Sequence, residues 1–358
     1  MKTALALLAM LAMLHCPALA APERGLPELH RTFLEELDPA KRVQALDEMS
    51  RSVPKTKRDI QALFDLFSRF PTAQVRTAVM GAVSRLDPRS VGTLENAFLE
   101  YLKEPEPESV LFGINGALRL RSSLALPVIR GIAEKPFKHK NPQDAQVLSE
   151  RNEWWTQYEA LSALAQWEGP KAYSLLKSRA EQAPQVARLM GTFLWEKTLP
   201  QALSWAGRGA TDRERAMQAL KAPADVQSLR LTRPILLQKV LDAKTDRDVR
   251  HELALKLGLC STPEEISGLL AEYEGAKDPD TKLMLSASLF TSRSPQVIPL
   301  LRRHAQEAPE ARTRLGALVQ LIDMLGPEPA RADLEWSAKN DPDAENRKEA
   351  SALLEEKR

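Results

Sequence analysis

The sequence has little of what builds sheets, staples or metal sites. Aromatic residues make up only 5% of it, and glycine occurs 15 times in 358 residues. Runs of Val, Ile, Thr and Tyr in period-two alternation are nearly absent, which leaves strands without support. The two cysteines, Cys16 and Cys260, are too few for a disulfide framework or a thiolate metal site. The five histidines, at 15, 30, 139, 251 and 304, show no ligand spacing. His251-Glu252 opens like a zinc-protease motif, but Leu255 and Lys256 stand where the second histidine belongs. No metal and no cofactor are expected.

Catalytic signatures are equally scarce. There is no phosphate loop and no nucleophile elbow. Ser174-Leu175-Leu176-Lys177 has the Ser-x-x-Lys spacing of penicillin-interacting enzymes. The accompanying motif is missing, since Lys197-Thr198-Leu199 lacks its glycine, and the four residues read as ordinary helix. Cys260 follows Leu257 and Leu259 and reads as a buried, inert thiol. The sequence therefore predicts no catalytic residue and a protein that is not an enzyme.

Charge of one sign is also lacking. Fifty basic residues face 48 acidic ones, for a formal charge of +2. So balanced a chain has little electrostatic reason to seek nucleic acid. After the N-terminus, no segment is apolar for the roughly 20 residues that a membrane helix needs.

The N-terminus itself has the pattern of an export signal: Lys2, an apolar run from Ala4 to Leu14, and a small-x-small site at Ala18-Leu19-Ala20. Cys16 raises the alternative of a lipid anchor. It follows His15, where lipid modification usually wants a small residue, so cleavage after Ala20 is the expectation. Cleavage leaves 49 basic and 48 acidic residues, a charge of +1, with Cys260 as the remaining thiol. The expected location is exported, periplasmic or extracellular.

What the chain has in abundance is Ala, Leu, Glu, Arg, Lys and Gln, the good helix formers. Apolar residues recur at spacings of three and four, as in Ile60, Leu63, Phe64 and Phe67, or Val186, Leu189, Met190 and Phe193. Many of the 25 prolines sit just inside a helix start, where a missing N–H costs nothing. Thr262-Pro263-Glu264-Glu265 is a capping box. Pro263, Pro295 and Pro329 are 32 and 34 residues apart, and between them Pro279, Pro309 and Pro342 are 30 and 33 apart. Two interleaved series with one period near 33 predict a repeated helix–turn–helix unit.

Extending the period backwards puts first helices near Asp59, Ser90, Leu124, Pro170, Leu199 and Arg233. Second helices fall near Pro71, Pro107, Asn152, Pro184, Asp212 and Asp246. That makes about nine units after a less regular N-terminal helix around Glu28–Met49. The period breaks between Leu124 and Pro170, 46 residues apart. The excess, Lys135–Glu150, predicts a loop with room for a short helix after Pro142.

These residues resemble the HEAT-repeat family. The resemblance covers roughly residues 55–356 and rests on a basic residue one turn into the second helix: Pro71…Arg76, Asp246…Arg250, Pro309…Arg314 and Pro342…Arg347. It departs from the pattern at Pro184…Arg188 and Pro279…Lys282, where the spacing is shorter, and at Asn152, where proline is missing. Tetratricopeptide repeats have similar length, but no unit carries their Trp-Leu-Gly-Tyr pattern.

The resemblance implies an all-α, right-handed α-solenoid of stacked hairpins whose second helices line an inner surface. It implies an interaction scaffold; together with the export signal, the expectation is a non-catalytic scaffold of the cell envelope or extracellular space that binds a protein or peptide. A helical accessory domain, or an enzyme with a site assembled across repeats, is the alternative. The expected organisation is a signal peptide at 1–20, a helical cap at 21–58, repeats at 59–134, an irregular insertion at 135–151 and repeats at 152–358.

The candidate surface lies where the period breaks. Trp154, Trp155 and Tyr158 share one helix, and Trp154 and Trp155 point about 100° apart, so one buried stripe cannot take both. The insertion adds Phe137, Lys138, His139 and Lys140. Trp154, Trp155, Tyr158, Phe137, Lys138 and Lys140 are the candidate contacts, the tryptophans as anchors. The competing reading is that a tryptophan packs under the insertion. Arg76, Arg250, Arg314 and Arg347 form a possible inner ladder, or pair with acids of adjoining repeats. A weaker third possibility is glycan binding by the Trp-rich centre.

Overall fold

The computed structural model describes residues 25–355. Helix accounts for 79% of the described residues, and no strand occurs among them. The chain divides between Ala183 and Pro184 into two units.

In the first unit the helices are α1 (Leu26–Glu35), α2 (Pro39–Arg51), α3 (Lys57–Arg69), α4 (Ala73–Ser84), α5 (Val91–Tyr101), α6 (Pro107–Leu120), α7 (Leu126–Ala133), α8 (Leu148–Glu168) and α9 (Tyr173–Gln182). The starts are written in local chemistry. Thr56 and Asp59 form a capping box for α3, Thr72 caps α4 through the Val75 N–H, and Pro107 opens α6. Each apolar stripe is then buried. In α3 these are Ile60, Leu63, Leu66 and Phe67; in α4, Val75, Ala78, Val79, Ala82 and Val83.

Packing follows the hairpin pattern. α1 contacts α2, α3 contacts α4, α5 contacts α6 and α7 contacts α8. The second members also touch in series: α2 on α4, α4 on α6, α6 on α8. A core of aliphatic side chains is closed by a ring cluster in which Phe112 lies within 5.7 Å of Phe64, Phe67, Phe98 and Tyr101.

The second unit holds α10 (Val186–Phe193), α11 (Trp195–Ala206), α12 (Ala210–Lys221), α13 (Val226–Leu241), α14 (Arg247–Cys260), α15 (Pro263–Gly275), α16 (Pro279–Thr291), α17 (Ile298–Glu307), α18 (Ala311–Leu325), α19 (Arg331–Asn340) and α20 (Ala344–Glu355). Hairpin partners again touch: α11 with α12, α13 with α14, α15 with α16, α17 with α18 and α19 with α20. Here the series of second helices runs α10, α12, α14, α16. Two glycines set its spacing. A Cβ on Gly191 would lie 2.1 Å from the Ala219 carbonyl oxygen, and one on Gly258 would lie 2.1 Å from that of Ser288.

Three expectations need correcting. The N-terminal region is a hairpin rather than one helix, because Asp38 accepts from the Ala40 N–H and Pro39 starts α2 afresh. Pro200 and Pro234 lie inside α11 and α13 instead of opening them. Both are exposed, so water can take the hydrogen bonds they cannot donate. α13 starts at its Asp225 cap, which accepts from Ser228. Finally, α8 begins at Leu148, four residues before Asn152, and the insertion carries a short 3₁₀ turn at Pro142–Asp144. The export signal lies outside the described residues. No described helix is long and apolar enough to cross a membrane.

Candidate functional site

The insertion folds back over one face of α8. Trp154 is 2% exposed and donates its indole N–H to the His139 carbonyl at 3.1 Å. The Phe137 ring packs on it at 5.1 Å, and Tyr158 stacks on it at 5.5 Å. Lys138 reaches Glu153 at 2.7 Å, and His139 reaches Glu150 at 3.1 Å. Lys138, His139, Glu150, Glu153, Trp154 and Gln157 meet so closely that no water fits between them. The candidate residues are thus divided. Trp154 is core that fastens the insertion, Phe137 and Tyr158 are half-buried beside it, and Lys138 and Lys140 are exposed. Trp155 is 41% exposed and faces elsewhere.

Trp155 borders a cleft of about 240 Å³ in which the first turns of α4 and α6 meet the middle of α8. Its other lining residues are Arg76, Glu108, Leu111, Asn152, Thr156 and Glu159, with Pro107 at the edge. On α8 the stripe Asn152, Trp155, Thr156, Glu159 follows helical spacing, so one face delivers all four. Thr156 Oγ1 lies 3.1 Å from the Pro107 carbonyl and 2.9 Å from that of Asn152, tying α8 to α6. Asn152 donates its amide to Glu108.

Two ionisable groups in this cleft, Arg76 and Glu159, form no pair within it. The Arg76 guanidinium lies over the Phe67 ring at 5.2 Å. Its Nε is enclosed and bonds to nothing, and its side chain makes no hydrogen bond or ion pair with a described residue. Burial pushes the Glu159 carboxyl above the usual carboxylate range, with no charge or hydrogen bond to offset it. An unpaired charge in a desolvated place is costly unless something else supplies the partner.

The other arginines of the ladder are satisfied within the fold. Arg250 donates to the Val240 carbonyl at 2.9 Å and to Thr281 at 3.1 Å. Arg314 pairs with Asp341 at 2.8 Å. Arg347 donates to the carbonyls of Asp341 at 2.6 Å and Pro342 at 3.1 Å. Arg213 does the same kind of work, reaching Asp246 at 3.2 Å and also pairing with Asp248. In each of the pairs formed by Arg213, Arg250 and Arg314, a side chain in the turn before the next second helix, or in that helix's first turn, takes the guanidinium. Arg76 makes no such pair, and Glu108, in the first turn of α6, accepts from Asn152.

A second and larger cleft, of about 560 Å³, opens at the other ends of the same three helices. Met80, Asn115, Arg119, Arg121, Gln166 and Trp167 line it.

Glu108 and Glu159 escaped the reading of the sequence. Spacing would have found Glu159, four residues after Trp155 on the same stripe. Glu108 becomes part of the cleft only through the contact of α6 with α8. Cys260 is fully buried, and desolvation pushes its thiol up to about 11. Ser174 is exposed, and His251 is exposed. No metal-holding cluster of His, Cys, Asp or Glu occurs among the described residues. No family model and no curated protein matches the sequence.

Proposed function

We propose that this chain is an exported, HEAT-like α-solenoid that serves as a non-catalytic scaffold, binding a protein or peptide segment along α4, α6 and α8. The hairpins with second helices touching in series support the solenoid reading. The observation that carries the binding reading is the cleft beside Trp155. Its side chains are held by the fold, yet its cation and its half-buried carboxyl have no partner within it. A site that is desolvated and unpaired in the free protein gains most when a complementary group arrives.

The test uses the chain from Ala21 onward and a display library of random peptides, presented both internally and with free ends. Selected peptides should bind the native protein and lose most of their affinity on Trp155→Ala, with helicity unchanged. A library that yields no binder dependent on Trp155 would refute this reading.

One observation favours a second reading, an enzyme with its site assembled across repeats. Glu159, raised by burial, shares the cleft with Glu108, and paired carboxyls of unequal basicity serve acid–base catalysis. Glu108 is already engaged by Asn152, which weakens it as a base. Hydrolysis of glycoside or peptide substrates that vanishes in Glu159→Gln would establish the enzyme instead.

A further inference from the structure

The cleft at Trp155 also constrains what can occupy it, if the scaffold reading on which this inference rests is right. At about 240 Å³ it lies below the roughly 300–1,000 Å³ of drug-sized ligand sites. It has room for about one residue-sized group of a partner at a time. That one group must answer three surfaces at once. Arg76 calls for a formal negative charge, since its guanidinium lies over Phe67 with its Nε enclosed, and neither acid of the cleft pairs with it. Glu159 calls for an N–H or O–H donor, since its carboxyl accepts no hydrogen bond from a described residue. Trp155 and Leu111 call for apolar surface.

An internal Asp or Glu spends its side chain on Arg76 and leaves the apolar wall unfilled. A sugar ring covers Trp155 and bonds Glu159, but it does not neutralise Arg76. The last residue of a polypeptide supplies all three: its α-carboxylate, its backbone N–H and its own side chain.

We infer that the cleft captures the free C-terminal residue of a protein or peptide, with the α-carboxylate on Arg76, the backbone N–H on Glu159 and an apolar side chain against Trp155 and Leu111. The planar guanidinium suits a carboxylate because it can donate two parallel hydrogen bonds. Arg76 is prepared for that role by its place on Phe67.

The experiment compares matched synthetic peptides that end in Leu, one set with a free C-terminal carboxylate and one with a C-terminal amide, on the chain from Ala21. The free acids should bind at least tenfold more tightly than the amides by fluorescence anisotropy. Arg76→Gln should bring the two sets level, and Arg76→Lys should keep part of the preference. Replacing the terminal Leu by Asp should weaken binding to the native protein. Circular dichroism establishes that each variant is folded, and the acid–amide comparison on the native protein needs no variant.

Amides that bind as well as acids would overturn the inference, as would an acid preference that survives in Arg76→Gln. If peptides bind through Trp155 without regard to their ends, the scaffold stands and terminal capture falls. If no peptide in either set binds and a neutral oligosaccharide does, both fall.

Discussion

Arg314 and Asp341 form an ion pair that joins α18 to the turn before α20. The guanidinium meets the carboxylate through two bonds, of 3.0 and 2.8 Å, with side chains 6% and 1% exposed. Burial by itself would raise the Asp341 carboxyl. The Arg314 bonds, the Asp343 N–H at 2.8 Å and the Asn346 amide at 3.2 Å outweigh it and hold Asp341 below the ordinary range.

Removing one partner strands the other. Asp341→Ala should cost about 3–5 kcal/mol in urea unfolding, the scale for an orphaned buried charge. Because the Asp341 pKa is depressed by folding, its contribution is complete above the unfolded carboxylate range. It is lost as pH falls through the lowered value. The stability difference between native protein and Asp341→Asn should shrink on acidification over that window. A difference that is constant with pH would refute the assignment.

Glu159 has the opposite sign. Burial raises its carboxyl, so the folded state favours the protonated form. Stability linked to this group is present below the unfolded carboxylate range and is lost as pH rises through the raised value. Glu159→Gln, which stays neutral, should therefore melt higher than the native protein at pH 8, and the gap should close near pH 4. Thermal melts at those two pH values check it.

The adjacent tryptophans separate stability from recognition. Trp154 is enclosed by Phe137, Tyr158 and the His139 carbonyl, so Trp154→Ala should cost about 3–5 kcal/mol and loosen the insertion. Trp155→Ala removes a half-exposed ring and should leave the melting temperature within a few degrees while weakening peptide binding. Equal losses of stability in both variants would show that the two rings do the same work.

Gly258 tests the close approach of α14 to α16. Its absent Cβ would lie 2.1 Å from the Ser288 carbonyl oxygen and 3.0 Å from Thr291 Cβ. Backbone cannot swing aside as a side-chain end does, so Gly258→Ala should destabilise by about 1–3 kcal/mol. Gly268→Ala, on open surface in α15, is the control and should raise stability slightly through helix propensity.

The export proposal has its own measurement. N-terminal sequencing of protein recovered from outside the cytoplasm should begin at Ala21. A lipid-modified Cys16 at the terminus would refute it.

The sequence by itself determined that this chain is helical and where most helices start. Those signals are local: a Thr, Asp or Ser whose side chain reaches an N–H two or three residues on, and a proline where no N–H is needed. Thr262, Asp278 and Asp246 act in the structure as their neighbours in sequence imply. The same logic was available at Asp38-Pro39, which opens α2, and it misleads at Pro200 and Pro234, because proline inside a helix is tolerated where the freed carbonyl faces water.

Tertiary structure alone decided which charges are spent and which are left open. Arg76 and Arg314 occupy the same kind of position, one turn into a second helix, and nothing near them in sequence separates their fates. Arg314 meets Asp341 across 27 residues, whereas Glu108, which stands near Arg76 in the fold, is taken by Asn152 from 44 residues away. Exposure divides Trp154 from Trp155 in the same manner, because the insertion covers one face of α8 and leaves the other beside α6. Pairing and desolvation depend on what distant segments bring within a few ångströms, and the Coulomb and burial energies that follow fall off too steeply with distance to be read from spacing along the chain.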